Sequence, residues 1–237
     1  MPLKRPELIT GDFYHVYNRG VEKRDIFTDD AERARFVLGL YEFNDAAHVW
    51  NLGRYYEQHD GDLTPIIRKR ERDELVDVIA FALMKNHYHL LLREKQDGGI
   101  SAFMQKQGAG FTRYFNERHD RVGALFQGVY RVKHVPADAL LEYMLVYLHL
   151  NPLGLSARRV PKTKVPGAAD ARKRLASYRW SSYHDYVGRE TYPEVLNLAI
   201  AHELRLPMGA AHEKMIADWV EHYVKRHSGL GDLAIDE

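Results

Sequence analysis

"LVDVIAFALMKNHYHLLLRE", Leu75 to Glu94, is the stretch on which the fold of this chain turns. It is apolar and long enough for two strands or one long, bent one, and two histidines interrupt it one residue apart. Side chains alternate faces along a strand, so His87 and His89 project to one side and Tyr88 and Leu90 to the other. Upstream, "DFYHVYNRG" (Asp12 to Gly20) is rich in aromatics and ends in an Asn-Arg-Gly turn signal, which predicts a first strand. "TDDAERARFVLGLYEF" follows, with Thr28 and two aspartates as N-cap and acidic first turn and Phe36, Leu40 and Phe43 at helical spacing.

Downstream, "ISAFMQKQGAGFTRYFNERH" sets Phe103, Met104, Phe111, Tyr114 and Phe115 on a helical stripe crossed by two glycines. "GALFQGVYRVKHV" reads as a strand with a basic face, and "ADALLEYMLVYLHLNP" as a third helix. Pro152 stops that helix, because its ring disfavours helical geometry at Asn151. The order β, α, β(β), α, β, α predicts an α+β fold, closest to a ferredoxin-like sandwich with helices on one face of an antiparallel sheet. The residues from 158 to 237 are expected to form a basic linker and a mainly helical C-terminal extension, ending in a helix around "HEKMIADWVEHYVKR". The expected domain is 1–157, with an insertion at about 44–75 where the pattern dissolves.

The 237 residues suffice for a real core, and 45% hydrophobic with 28% charged residues argues against general disorder. No apolar run reaches the roughly 20 residues of a membrane-spanning helix. "MPLKRPELITGDF" places charge and two prolines where a signal peptide needs an apolar stretch, so a cytoplasmic protein is expected. The absence of cysteine excludes disulfides, thiol catalysis and cysteine-bound zinc, and any metal must be held by His, carboxylate or amide. Net charge is only +1, yet Pro152 to Trp180 carries eight Lys or Arg against the single Asp170.

Two imidazoles on one strand face grip a divalent cation, but a working site needs at least one more ligand. Tyr147 and Asn151 are four apart at the end of the third helix, hence on one helical face. The amide oxygen of Asn151 would complete a two-imidazole site. A tyrosine beside a metal is a candidate covalent nucleophile, provided a cation offsets its ordinary pKa of about 10. Tyr143, one turn earlier, is the rival. Arg131 and Lys133 share a strand face, and Arg158, Arg159, Lys162 and Lys164 follow the third helix, a pattern that neutralises phosphates. Tyr14, Tyr17 and Trp180 are candidates to stack on unpaired bases.

Four motifs in order, "YHVYNRG", "MKNHYHLLL", "YLHLNP" and "WSSY", resemble those of the single-tyrosine HUH transposases, most closely the REP-associated tyrosine transposases of bacteria. The resemblance spans roughly Phe13 to Tyr186, leaving out 44–75. It departs from the family pattern at Tyr88, where a purely hydrophobic residue is usual between the histidines, and at Lys85, often proline. It implies that His87 and His89 are metal ligands, Asn151 the third ligand and Tyr147 the nucleophile, with Mg²⁺ or Mn²⁺ as cofactor. It further implies a single-stranded DNA substrate with a palindromic, REP-like hairpin, cut through a 5′-phosphotyrosine that a 3′-hydroxyl later reverses, with Asn18 and Arg19 as DNA contacts. Two other readings stand beside it. One is a domesticated, non-catalytic binder of hairpin nucleic acid. The other is a hydrolase using metal-bound water, whose activity would survive loss of Tyr147. Monomer and dimer both stay open.

Overall fold

The computed structural model describes residues 6–47, 72–136, 139–155 and 166–226. Much of the expected insertion, and Arg158, Arg159, Lys162 and Lys164, lie outside the described residues, as does the expected boundary at 157/158.

The apolar run does form two strands. β2 (Val76–Met84) and β3 (His87–Glu94) are antiparallel, with Met84 opposite His87 across the two-residue turn Lys85–Asn86. β1 (Phe13–Arg19) pairs antiparallel with β3 on one side and with β4 (Arg131–Val135) on the other. The sheet order β2-β3-β1-β4, with α1 (Asp30–Glu42) after β1 and α2 (Gly99–Arg118) after β3, is the ferredoxin-like arrangement expected.

Alternation then divides the sheet into two unlike faces. Tyr14, Val16, Tyr88, Leu90, Leu92, Phe81 and Leu83 join one core with α1 and α2. Tyr88 is fully buried there, its ring 4.8 Å from Phe36 and 5.8 Å from Phe126. A large aromatic between the histidines thus serves the opposite face, filling the gap between sheet and helices. The two interior glycines of α2 have different surroundings: a side chain on Gly110 would strike the Phe43 ring, whereas Gly108 faces open space.

α1 starts one residue later than its sequence suggests. Asp29, not Thr28, is the cap, accepting from Glu32 N–H at 3.0 Å, while the Glu32 carboxylate reaches back to Thr28 N–H. This is the reciprocal logic of a capping box shifted by one position.

The second face is covered by α3 (Ala139–Leu150), which seats Leu141, Met144, Leu145 and Leu148 on Phe13, Ile79, Ala80, Leu91 and Val135. Beyond the two helices of the ferredoxin-like core, then, the tyrosine-bearing helix occupies the side of the sheet to which the histidines point.

The extension is stitched to the edge of the sheet. β2 has only β3 as a strand neighbour, and its free edge is met by residues 180–182: Leu83 N–H donates to Trp180 O at 2.9 Å and Ser182 N–H to Phe81 O at 3.0 Å. Covering an exposed edge removes a template for unwanted pairing. Among the described residues this part holds four helices: α4 (Ala168–Ser177), the single turn α5 (Tyr183–Tyr186), α6 (Leu198–Glu203) and α7 (Ala210–Arg226). Ile216 and Val220 of α7 pack with Val146 and Leu150 of α3. Among the described residues no helix is long and apolar enough to cross a membrane.

Candidate active site

The register fixes what shares the α3-facing side of the sheet. His89 lies opposite Tyr17 and Tyr17 opposite Arg131; His87 lies opposite Arg19, and His15 opposite Lys133. One polar stripe therefore carries His87, His89, His15, Tyr17, Arg19, Arg131 and Lys133. The expected pair is together, with ring centroids 5.2 Å apart and planes at 90°.

His89 is almost wholly buried, and its Nδ1 is 2.8 Å from Nε2 of His15. Its Nε2 has no hydrogen-bond partner. His87 sits at the mouth of the β2–β3 turn with Nδ1 2.6 Å from Asn86 Oδ1, so its Nε2 is the atom left for a ligand. All three imidazoles are held neutral. Burial pushes His15 down to about 3, with Lys133 adding to the effect. Burial lowers His89 far below the usual histidine range, reinforced by His15 and His87. His87 is lowered by burial, partly offset by the Asn151 amide and reinforced by Arg19. Neutral rings keep the lone pairs that metal ligation requires.

The fourth participant comes from the end of α3. Asn151 begins a single 3-10 turn, Asn151–Leu153, and its Nδ2 donates to Tyr147 O at 3.0 Å. That bond turns the amide toward His87 and leaves the buried Oδ1 without a conventional partner. Tyr147 presents its ring edge-on to His89 at 5.6 Å and to His15 at 5.9 Å. Tyr143 stands 6.5 Å from Tyr147 and packs on Trp219 at 5.7 Å, one turn farther from the histidines.

Among the described residues no three histidines and carboxylates are grouped to hold an ion. The donor set on offer is two imidazoles and one amide. Two unpaired buried atoms, His89 Nε2 and Asn151 Oδ1, give it a physical basis. A buried polar atom without a partner costs roughly 1–3 kcal/mol, and a divalent cation accepting both nitrogen and oxygen donors would satisfy both.

The remaining candidates divide. Arg19, Arg131 and Lys133 share the histidine face, and Arg131 is exposed. Asn18 points the other way: its Nδ2 donates to Gly128 O at 3.1 Å and its Oδ1 accepts from Arg19 N–H at 2.9 Å. Tyr17 stacks on His15 at 4.9 Å, whereas Tyr14 is buried on the opposite face. Trp180 is largely buried and donates to Asp30 at 2.8 Å. His15 was not singled out from the sequence. The period of two in "FYHVYNR" was the available signal, since Phe13, His15, Tyr17 and Arg19 must share a face.

The class is an α+β protein whose antiparallel ferredoxin-like sheet presents an H-x-H pair to a tyrosine and an asparagine from the end of α3. Residues 53–149 match the family model described as "Transposase IS200 like". The matched stretch contains His87, His89 and Tyr147 and stops short of Asn151. No curated protein matches the chain. Among solved structures, a REP-associated tyrosine transposase bound to a REP hairpin aligns with a TM-score of 0.48 and 13% identity, over 82% of this chain and 90% of that one.

Proposed function

We propose that this protein is a metal-dependent single-stranded DNA endonuclease and strand transferase that cuts beside palindromic hairpins. The observation that carries this reading is the gathering of His87, the unpaired His89 Nε2 and the Asn151 amide beside the ring of Tyr147. His87, His89 and Asn151 would hold Mg²⁺ or Mn²⁺, which supplies Lewis acidity to the scissile phosphate. Tyr147 Oη attacks phosphorus in line, the bond to the 3′-oxygen breaks, and the phenolic proton is lost as the leaving 3′-oxygen gains one. The product is a 5′-phosphotyrosine and a free 3′-hydroxyl. Attack by a 3′-hydroxyl on that aryl phosphate reverses the step and joins strands. Arg19, Arg131 and Lys133 on the same face neutralise phosphates along the bound strand.

The test is a denaturing gel of the protein with labelled hairpin oligonucleotides, run with Mg²⁺, with chelator and as Tyr147→Phe. A metal-dependent covalent adduct that disappears in Tyr147→Phe supports the reading. Cleavage that survives Tyr147→Phe without any adduct points to hydrolysis by water instead. Tight binding with neither adduct nor cleavage, across a panel of hairpins, points to a non-catalytic hairpin binder.

A further inference from the structure

We infer that His15 is a positioning residue that selects the tautomer of His89, presenting the His89 Nε2 lone pair to a bound cation. This rests on the metal-site reading above. The two rings are nearly parallel, 16° apart with centroids 5.0 Å apart, and the Nε2–Nδ1 contact of 2.8 Å is buried on both sides. One proton is shared across that contact, so two arrangements exist. If His89 carries its hydrogen on Nδ1 and donates to His15, then His89 Nε2 is a bare lone pair and can ligate. If His15 donates instead, His89 Nε2 carries a hydrogen and cannot.

Metal-binding histidines are commonly fixed by a partner on the second ring nitrogen, a carboxylate, carbonyl or water. Here an imidazole takes that place. A neutral acceptor suits this face, because a carboxylate next to Lys133 and Arg131 would form an ion pair and be drawn away from His89. The His15 ring has little freedom to turn: Tyr17 stacks on one side at 4.9 Å and Tyr147 meets it edge-on at 5.9 Å. β1 supplies the rest of the geometry, since the β1–β3 pairing sets His15 opposite Leu91, one step along the same face from His89.

Mn²⁺ titration of the DNA-free protein, followed by electron paramagnetic resonance, separates the possibilities. His15→Phe, which keeps the ring and removes the acceptor, is expected to weaken Mn²⁺ binding by roughly 10- to 100-fold, and His15→Gln, whose carbonyl accepts, to recover most of it. Binding of hairpin DNA in chelator should not change. Unchanged Mn²⁺ affinity in a folded His15→Phe overturns the assignment of His15 alone. Failure of the unsubstituted protein to bind Mn²⁺ overturns the metal site as well. A readout that needs no variant is the long-range ¹H–¹⁵N spectrum of the Mg²⁺-loaded protein: His89 protonated on Nδ1 supports the inference, and His89 protonated on Nε2 overturns it.

Discussion

Two clusters of buried histidine flank α3, and they differ in how far their hydrogen bonds close. On the sheet side, His15 and His89 hold one another while His89 Nε2, His15 Nδ1 and the neighbouring Asn151 Oδ1 have no partner. On the side of the extension, His149 uses both nitrogens: Nδ1 lies 2.8 Å from His212 Nε2, and Nε2 lies 2.8 Å from Ser182 Oγ. Ser182 Oγ in turn accepts from Phe81 N–H at 3.0 Å on the edge of β2, and His212 Nδ1, on the side of the Pro207 carbonyl, is the one ring nitrogen of this cluster left without a hydrogen bond. Residue type and burial are alike, so burial alone does not mark a functional histidine. The closed network locks three distant parts of the chain together. The open one keeps unsatisfied atoms beside Tyr147, a local cost that cation binding would offset.

The contrast can be broken at either end, and the largest effect is expected at the open cluster. His89→Gln should reduce hairpin cleavage by roughly 10²- to 10³-fold or more, the scale of losing one electrostatic stabiliser of the transition state, while thermal denaturation stays close to that of the unsubstituted protein. Near-normal cleavage would remove His89 from the site.

His149→Phe should do the reverse. It takes one partner from the Ser182 hydroxyl and strands the His212 ring, and urea unfolding should show a loss of about 2–4 kcal/mol. Cleavage per folded molecule should change little.

Acid sharpens the same point. Burial holds His212 near 4 and His149 far below its usual range. The unfolded chain, whose histidines titrate near 6.5, then binds more protons than the folded one as pH falls. Stability carried by these neutral rings is complete above about pH 6.5. It declines as pH drops from there toward 4, by up to ~1.4 kcal/mol per pH unit for each such group. Denaturant midpoints that do not move between pH 7 and pH 5 would contradict this. The smallest effect is at the rim. Arg131→Ala should weaken single-strand binding modestly and lower the slope of log affinity against log salt by about 0.7, as read by fluorescence anisotropy over a salt series.

Much of the open cluster was legible because its logic is local. The period of two placed His87 and His89 together and sent Tyr88 away, and the i, i+4 spacing placed Asn151 one turn from Tyr147 on α3. His15 was harder to see. A lone histidine in an aromatic strand gains meaning only when the β1–β3 register sets it beside His89, and pairing across 74 residues is not written in either segment alone. The closed cluster is long-range for the same reason. "WSSY" looks like a surface motif until Ser182 is found on the edge of β2 and Trp180 on Asp30. Asn18, a DNA contact by the resemblance, lies by strand parity on the face opposite His15, where backbone groups occupy its amide.

The most direct test is to locate the covalent bond. A hairpin oligonucleotide trapped on the protein with Mg²⁺ can be trimmed with nuclease and the peptides sequenced by mass spectrometry. The phosphonucleotide should sit on Tyr147, the tyrosine whose ring lies 5.6 Å from His89. Its appearance on Tyr143, or efficient cleavage with no tyrosine modified, would contradict the account.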